Sequence, residues 1–178
     1  MRISHIVAAS VLAAAITTPA MAQQTFEEQL FVNVSAGWKY FDDKREFTEN
    51  AEFHYGAELR FLPNWAAELN YTRGETKTKY GPHARDSYTE VRLDGLYYFS
   101  DDVWQPFVAA GVGDASFDDT GFFGKRNEFR MNAGGGVRYI VDDNFSLRGG
   151  LRAFYGPRDD LFDAVVTIGA SVNFSLNQ

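Results

Sequence analysis

Apolar and polar side chains alternate with a period of two through eight stretches of this chain, roughly 30–41, 51–62, 65–73, 87–99, 106–117, 127–141, 145–155 and 164–174. That period places successive side chains on opposite faces of a strand, so each stretch reads as a β-strand with one apolar and one polar face. In 51–62, Phe53, Tyr55, Ala57, Leu59 and Phe61 oppose Glu52, His54, Gly56, Glu58 and Arg60. In 127–141, Phe129, Met131, Ala133, Gly135, Val137 and Tyr139 oppose Glu128, Arg130, Asn132, Gly134, Gly136 and Arg138. The connections alternate as well. Those at 63–64, 100–105 and 142–144 are short, whereas 42–50, 73–87, 118–126 and 156–163 are longer and rich in Gly, Pro and charge. An even set of strands with short turns at one end and long loops at the other predicts an all-β, eight-stranded antiparallel up-and-down barrel.

Such a sheet closes in one of two ways. A soluble barrel turns its apolar face inward; a transmembrane barrel turns its charges inward and its apolar side chains to lipid. The fourth stretch, with Glu90, Arg92 and Asp94 on one face, suits either. The aromatics favour the membrane. Trp65, Phe99, Tyr139, Phe145 and Phe174 fall at the short-turn end, and Trp38, Tyr40, Tyr55, Tyr71 and Phe129 toward the long loops, as two interfacial girdles would. The last stretch, "TIGASVNF", spaces Gly169, Val172 and Phe174 like the C-terminal signal by which outer-membrane barrels are inserted.

The charged faces then line the lumen. Inward acids are Glu52, Glu58, Glu68, Glu90, Asp94 and Glu128; inward bases are Lys39, Arg60, Arg92, Arg130, Arg138, Arg148 and Arg152. Eight strands leave an interior that side chains alone can fill, and buried charge is costly unless paired. The expected core is therefore a salt-bridge network that plugs the barrel, whereas an ion pathway would carry a surplus of one sign. In the fifth stretch the parity stays open: Asp114 inward would take Val108, Ala110 and Val112 with it, and the opposite parity puts Asp114 at the loop rim.

Residues 1–22, with Arg2, an apolar run from Ile6 to Ile16 and small residues at Ala20 and Ala22, read as a secretory leader; that run is too short to span a bilayer. Residues 23–178 form one expected domain. There is no cysteine for disulfides or lipidation. A formal charge of −7 on an exported chain argues against nucleic acid as a partner. The expected setting is the Gram-negative outer membrane, with both termini periplasmic because the strand number is even. The expected partners are outer-membrane lipid, lipopolysaccharide and the barrel-assembly machinery, for a monomer.

Other motifs carry little chemistry. "GVGDAS" (111–116) and "AGGGV" (133–137) lack the strand-to-helix setting of a phosphate loop and read as glycines relieving crowding between strands. His54 and His83 show no metal-ligand spacing, and the loop acids 118–119 and 159–160 show no EF-hand pattern, so no cofactor or metal is expected. Phe122 and Phe123 in "GFFGK" suggest rings folding onto the rim or a surface contact.

The stretches "FLPNWAAELNYT", "RLDGLYYF", "WQPFVAAGVGDASF" and "VRYIVDDNFSLRGGLRAF" resemble the N-terminal barrel of the outer membrane protein A and OprF-type family, over about residues 30–174. The resemblance implies a salt-bridged eight-stranded outer-membrane barrel with mobile surface loops. Two departures follow. The two-domain members continue into a peptidoglycan-binding domain, which the sequence ending at Gln178 does not show, and four residues follow Phe174 where many barrels end on the aromatic. A structural barrel with loops for contacts is the leading expectation, and a narrow solute or ion channel the second. A lipid-modifying enzyme, which would need a paired base and nucleophile, is the third.

Overall fold

The computed structural model describes residues 28–40, 50–77, 85–118, 125–158 and 160–175. Its strands are β1 (Gln29–Tyr40), β2 (Asn50–Arg60), β3 (Trp65–Lys77), β4 (Arg85–Tyr98), β5 (Trp104–Asp118), β6 (Lys125–Ile140), β7 (Phe145–Gly156) and β8 (Leu161–Ser175). Each is antiparallel to the next, and β1 closes on β8. The leader, His83, Phe122, Phe123 and most of the long loops lie outside the described residues. β3, β4 and β6 run farther toward the long loops than the alternation alone indicates, because polar residues continue the ladder there without an apolar face to mark it.

Stagger sets the shape. Following paired residues from Asp114 through Val91, Tyr71, Tyr55, Val34, Ala170, Leu147 and Tyr139 returns to β5 at Trp104, ten residues away. With strands ~4.8 Å apart and a rise of ~3.3 Å per residue, that offset tilts the strands by about 40° and gives ~2.5 Å of height per residue. On β1 the outward residues run apolar from Leu30 to Tyr40, and on β5 the first outward charge above Trp104 is Asp114. Both intervals amount to ~25 Å, the height of an outer-membrane apolar band.

The outer surface is apolar, with Leu69 at 55%, Leu151 at 56% and Ile168 at 73% exposure, while Glu58, Arg138 and Asp163 inside are fully buried at 0%. At the short-turn end, Trp65 meets Tyr97 edge-on at 5.1 Å, Tyr97 meets Phe99 at 5.2 Å, and Trp104 meets Tyr139 at 4.6 Å. The turns are held locally. Arg60 Nε donates to the Pro63 carbonyl at 2.8 Å, Asn64 Nδ2 to the Tyr98 carbonyl at 2.7 Å, and Asp142 Oδ1 accepts from the Asn144 and Phe145 amides.

β5 adopts the parity that points Gln105, Phe107, Ala109, Ala115 and Phe117 inward and leaves Val108, Val112 and Asp114 exposed. Small residues make this possible. A Cβ on inward Gly136 would strike the Gly149 carbonyl oxygen and lie 2.8 Å from the Phe107 ring, so that glycine makes room both for the adjoining strand and for a phenylalanine. On Gly111, Gly113, Gly134 and Gly169, a Cβ would strike the carbonyl oxygen of the adjoining strand. The two glycine-rich motifs thus sit within β5 and β6, where tightly coiled strands approach closely.

Candidate functional site

Glu58, Arg60, Glu68, Glu90, Arg92, Asp94, Glu128, Arg130, Arg138 and Arg152 are buried in the lumen, and Arg148 points there with 14% exposure. Asp163, assigned by its charged surroundings to a loop, is instead a buried residue of β8. With it, the described inward charges come to seven acids and seven bases. Glu52, Glu58, Glu68, Glu90 and Asp94 stand on β2 to β4 with Arg60 and Arg92 among them, and Arg130, Arg138, Arg148 and Arg152 stand on β6 and β7 with Glu128, so pairs form both across the lumen and along single strands.

The pairs join into one ladder rising from the short turns. Arg138 forks onto Glu58, with Nη2 2.6 Å from Oε2 and Nη1 3.0 Å from Oε1. Glu58 also accepts from Tyr98 Oη at 2.8 Å and lies 3.3 Å from Arg148 Nη1. Arg148 forks in turn onto Glu68, at 2.7 and 3.0 Å. Arg152 lies 3.7 Å from Glu68 and 3.1 Å from Asp94 Oδ2, an oxygen that Arg92 Nε meets at 3.0 Å. Arg92 reaches Glu90 at 3.4 Å, and Arg130 bonds Glu90 at 2.9 Å, contacts Asp163 and approaches Glu128 at 3.7 Å. Lys39 stands 3.5 Å from Glu52 and 4.0 Å from Glu90.

Bidentate and shared contacts are what a dry interior requires, because each carboxylate must replace its lost water with several donors. Asn33, Asn70 and Asn132 supply the rest: Asn33 Nδ2 donates to Glu68 at 2.7 Å, Asn70 to Asp94 Oδ2 at 3.0 Å, and Asn132 to Asp94 Oδ1 at 2.8 Å. These amides share the parity of the charges, the signal that already puts Asn132 on the inward face in the sequence.

Aromatic residues flank the ladder at both ends. Near the short turns Leu96, Tyr98 and Phe107 pack together; Arg138 stacks on Phe31 at 4.0 Å, Arg148 on Phe107 at 4.6 Å and Arg60 on Tyr98 at 4.8 Å. Near the long loops Tyr88 stacks on Phe117 at 5.6 Å, with Lys39 Nζ 4.3 Å from the Tyr88 centroid. Guanidinium groups are weakly hydrated and tolerate such stacking.

One contact resembles catalytic machinery. His54 Nδ1 is 2.8 Å from Thr72 Oγ1, and its Nε2 is 3.0 Å from Glu52. Thr72 is only 1% exposed and its hydroxyl accepts from Arg92 Nη1 at 3.3 Å, so the trio is a lumen contact rather than a nucleophile facing a substrate. Among the described residues, no group of three His, Cys, Asp or Glu is arranged to hold a metal ion. Of the three residues read as an insertion signal, Val172 and Phe174 face outward, exposed, and Gly169 faces inward against Ser35.

An apolar exterior, an ion-paired interior and eight tilted strands define a transmembrane β-barrel. The sequence pattern of the outer membrane protein beta-barrel domain matches residues 8–174, and the chain belongs to that family of outer-membrane barrels. In fold it is similar to Neisserial surface protein A (TM-score 0.63, 16% identity, covering 83% of this chain and 97% of that one). It is also similar to the N-terminal β-barrel domain of Pseudomonas aeruginosa OprF (0.57, 21%, 81% and 97%). Ail, the attachment invasion locus protein of Yersinia pestis, is similar as well (0.57, 15%, 84% and 100%). No curated protein sequence matches the chain.

Proposed function

We propose that the protein is a structural barrel of the Gram-negative outer membrane, its lumen plugged by ion pairs, its long loops serving surface contacts and both termini periplasmic. It acts without catalysis in this reading, as a monomer among outer-membrane lipid and lipopolysaccharide. The observation that carries this is the unbroken ladder from Arg138 to Asp163, flanked by aromatic residues at each end. A water-filled channel would leave charges of one sign facing an open path. Planar-bilayer recording of the refolded protein tests it: rare, weak openings are expected, and steady large conductance would replace the plug with a porin-like channel.

Assembly is proposed to depend on the last strand. Phe174 lies outward at the short-turn end with 49% exposure, beside the girdle that includes Phe145. Phe174→Ala is expected to slow insertion several-fold, read as delayed appearance of the heat-modifiable folded band. Normal assembly of that variant, together with failure on deleting 175–178, would move the signal to the final residues.

A further inference from the structure

On the outer wall, β1 to β4 leave a shallow groove whose exposed lining is wholly apolar. Strand pairing explains its shape. Ala57 sits between Val32 on β1 and Leu69 on β3, and the row above it runs Val34, Tyr55, Tyr71 and Val91 across the same four strands. A lone methyl among larger side chains leaves a hollow, and Tyr55 and Tyr71 line its upper side.

Arg73 stands above this groove. It follows Tyr71 by two residues on β3, so it shares the outward face, and it is exposed. Phe53 on β2 and Thr89 on β4 are its lateral neighbours in the sheet. Arg73 is eight residues beyond Trp65 of the short-turn girdle. At ~2.5 Å of height per residue it lies ~20 Å above that girdle, close to the upper edge of the ~25 Å apolar band. Among the described residues no carboxylate pairs with it, unlike the arginines of the ladder. A guanidinium at that depth, with no protein anion beside it, is placed to take a lipid phosphate through its donor fork.

We infer that this face holds one lipid A moiety, the phosphorylated and acylated anchor of lipopolysaccharide, with an acyl chain in the groove over Ala57 and a phosphate on Arg73. The inference rests on the proposed orientation, which turns the long-loop end, and Arg73 with it, toward the lipopolysaccharide leaflet. Apolar groove and cation follow one another up the wall in the order in which chain and phosphate follow one another in the lipid. Phe53, Tyr55 and Tyr71 stand between or beside them, as aromatic side chains do at a headgroup boundary. Both halves of the site face away from the ladder, so nothing in this depends on whether the barrel conducts.

Native mass spectrometry of the refolded barrel, released from micelles that contain purified lipid A, tests it. One retained lipid A per barrel is expected. Arg73→Gln should lower retention about fivefold, the worth of one cation at a membrane surface. Ala57→Leu fills the groove with an apolar side chain and should lower retention at least as far. The heat-modifiable band reads folding of each variant. Retention unaffected by either substitution overturns the site. Arg158→Gln removes another exposed arginine, beyond the end of β7, and should change nothing; an equal loss there would reduce the effect to general charge attraction and overturn the site as well. Phosphatidylglycerol retained as strongly as lipid A would assign the groove to phospholipid, and a dimer mass abolished by Ala57→Leu would assign it to a second copy. Either result overturns the lipid A assignment. Orientation is read separately. The chain has no cysteine, so Asp160→Cys can be labelled on intact cells with a membrane-impermeant maleimide. Absence of labelling would sink the proposed orientation while leaving retention in micelles untouched, so the two failures are distinguishable.

Discussion

On the proposed plug, Arg138→Glu should turn rare openings into frequent ones. Arg138 is fully buried, grips Glu58 through two bonds of 2.6 and 3.0 Å, and lies over Phe31. The substitution removes that grip and sets a carboxylate against Glu58, which then keeps Tyr98 Oη at 2.8 Å and Arg148 at 3.3 Å. Breaking a buried pair costs about 3–5 kcal/mol if the pair is dry, and reversal adds repulsion. Glu58 can relieve it by swinging away from the wall of β6, which disturbs the aromatic packing around Tyr98 near the short turns. The expected result is an increase of about tenfold in open probability in planar bilayers, with a folded barrel that unfolds at lower urea concentration. Unchanged conductance and unchanged urea midpoint would mean that water already screens the pair, and the plug would be wrong.

The strand faces, the barrel and most lumen residues follow from a period of two, because closure makes one whole face interior. Pairing is less legible. Glu58 meets Arg138 and Arg148 from 80 and 90 residues away, and those contacts depend on the stagger and tilt of the closed wall. Asp163 was hidden by its neighbours, since "GPRDDLFD" carries the charge and glycine of a loop while β8 already begins at Leu161. β5 offered no inward charge to fix its face; its parity was settled by Phe107 fitting over Gly136, a contact between strands.

Asp94 provides the sharpest test of whether the ladder acts as a unit. Its Oδ2 takes Arg92 Nε and Asn70 Nδ2 at 3.0 Å each and Arg152 Nη1 at 3.1 Å, and its Oδ1 takes Asn132 Nδ2 at 2.8 Å. Asp94→Asn keeps the shape and removes the charge, leaving two guanidiniums without their nearest carboxylate. The expected loss is about 3–5 kcal/mol of stability, the cost of a broken buried pair. Arg152→Met alone should cost a similar amount for the opposite reason, an uncompensated carboxylate. Combining them removes both members and keeps a side chain of comparable volume. Because the penalty lies in the stranded charge rather than in the lost bond, the double variant should regain about half or more of the summed loss. Urea unfolding in lipid vesicles reads all three variants. Strictly additive losses would show that each charge is solvated independently, as in an open aqueous lumen. A recovery would show that the ladder stabilises the barrel only as a completed set.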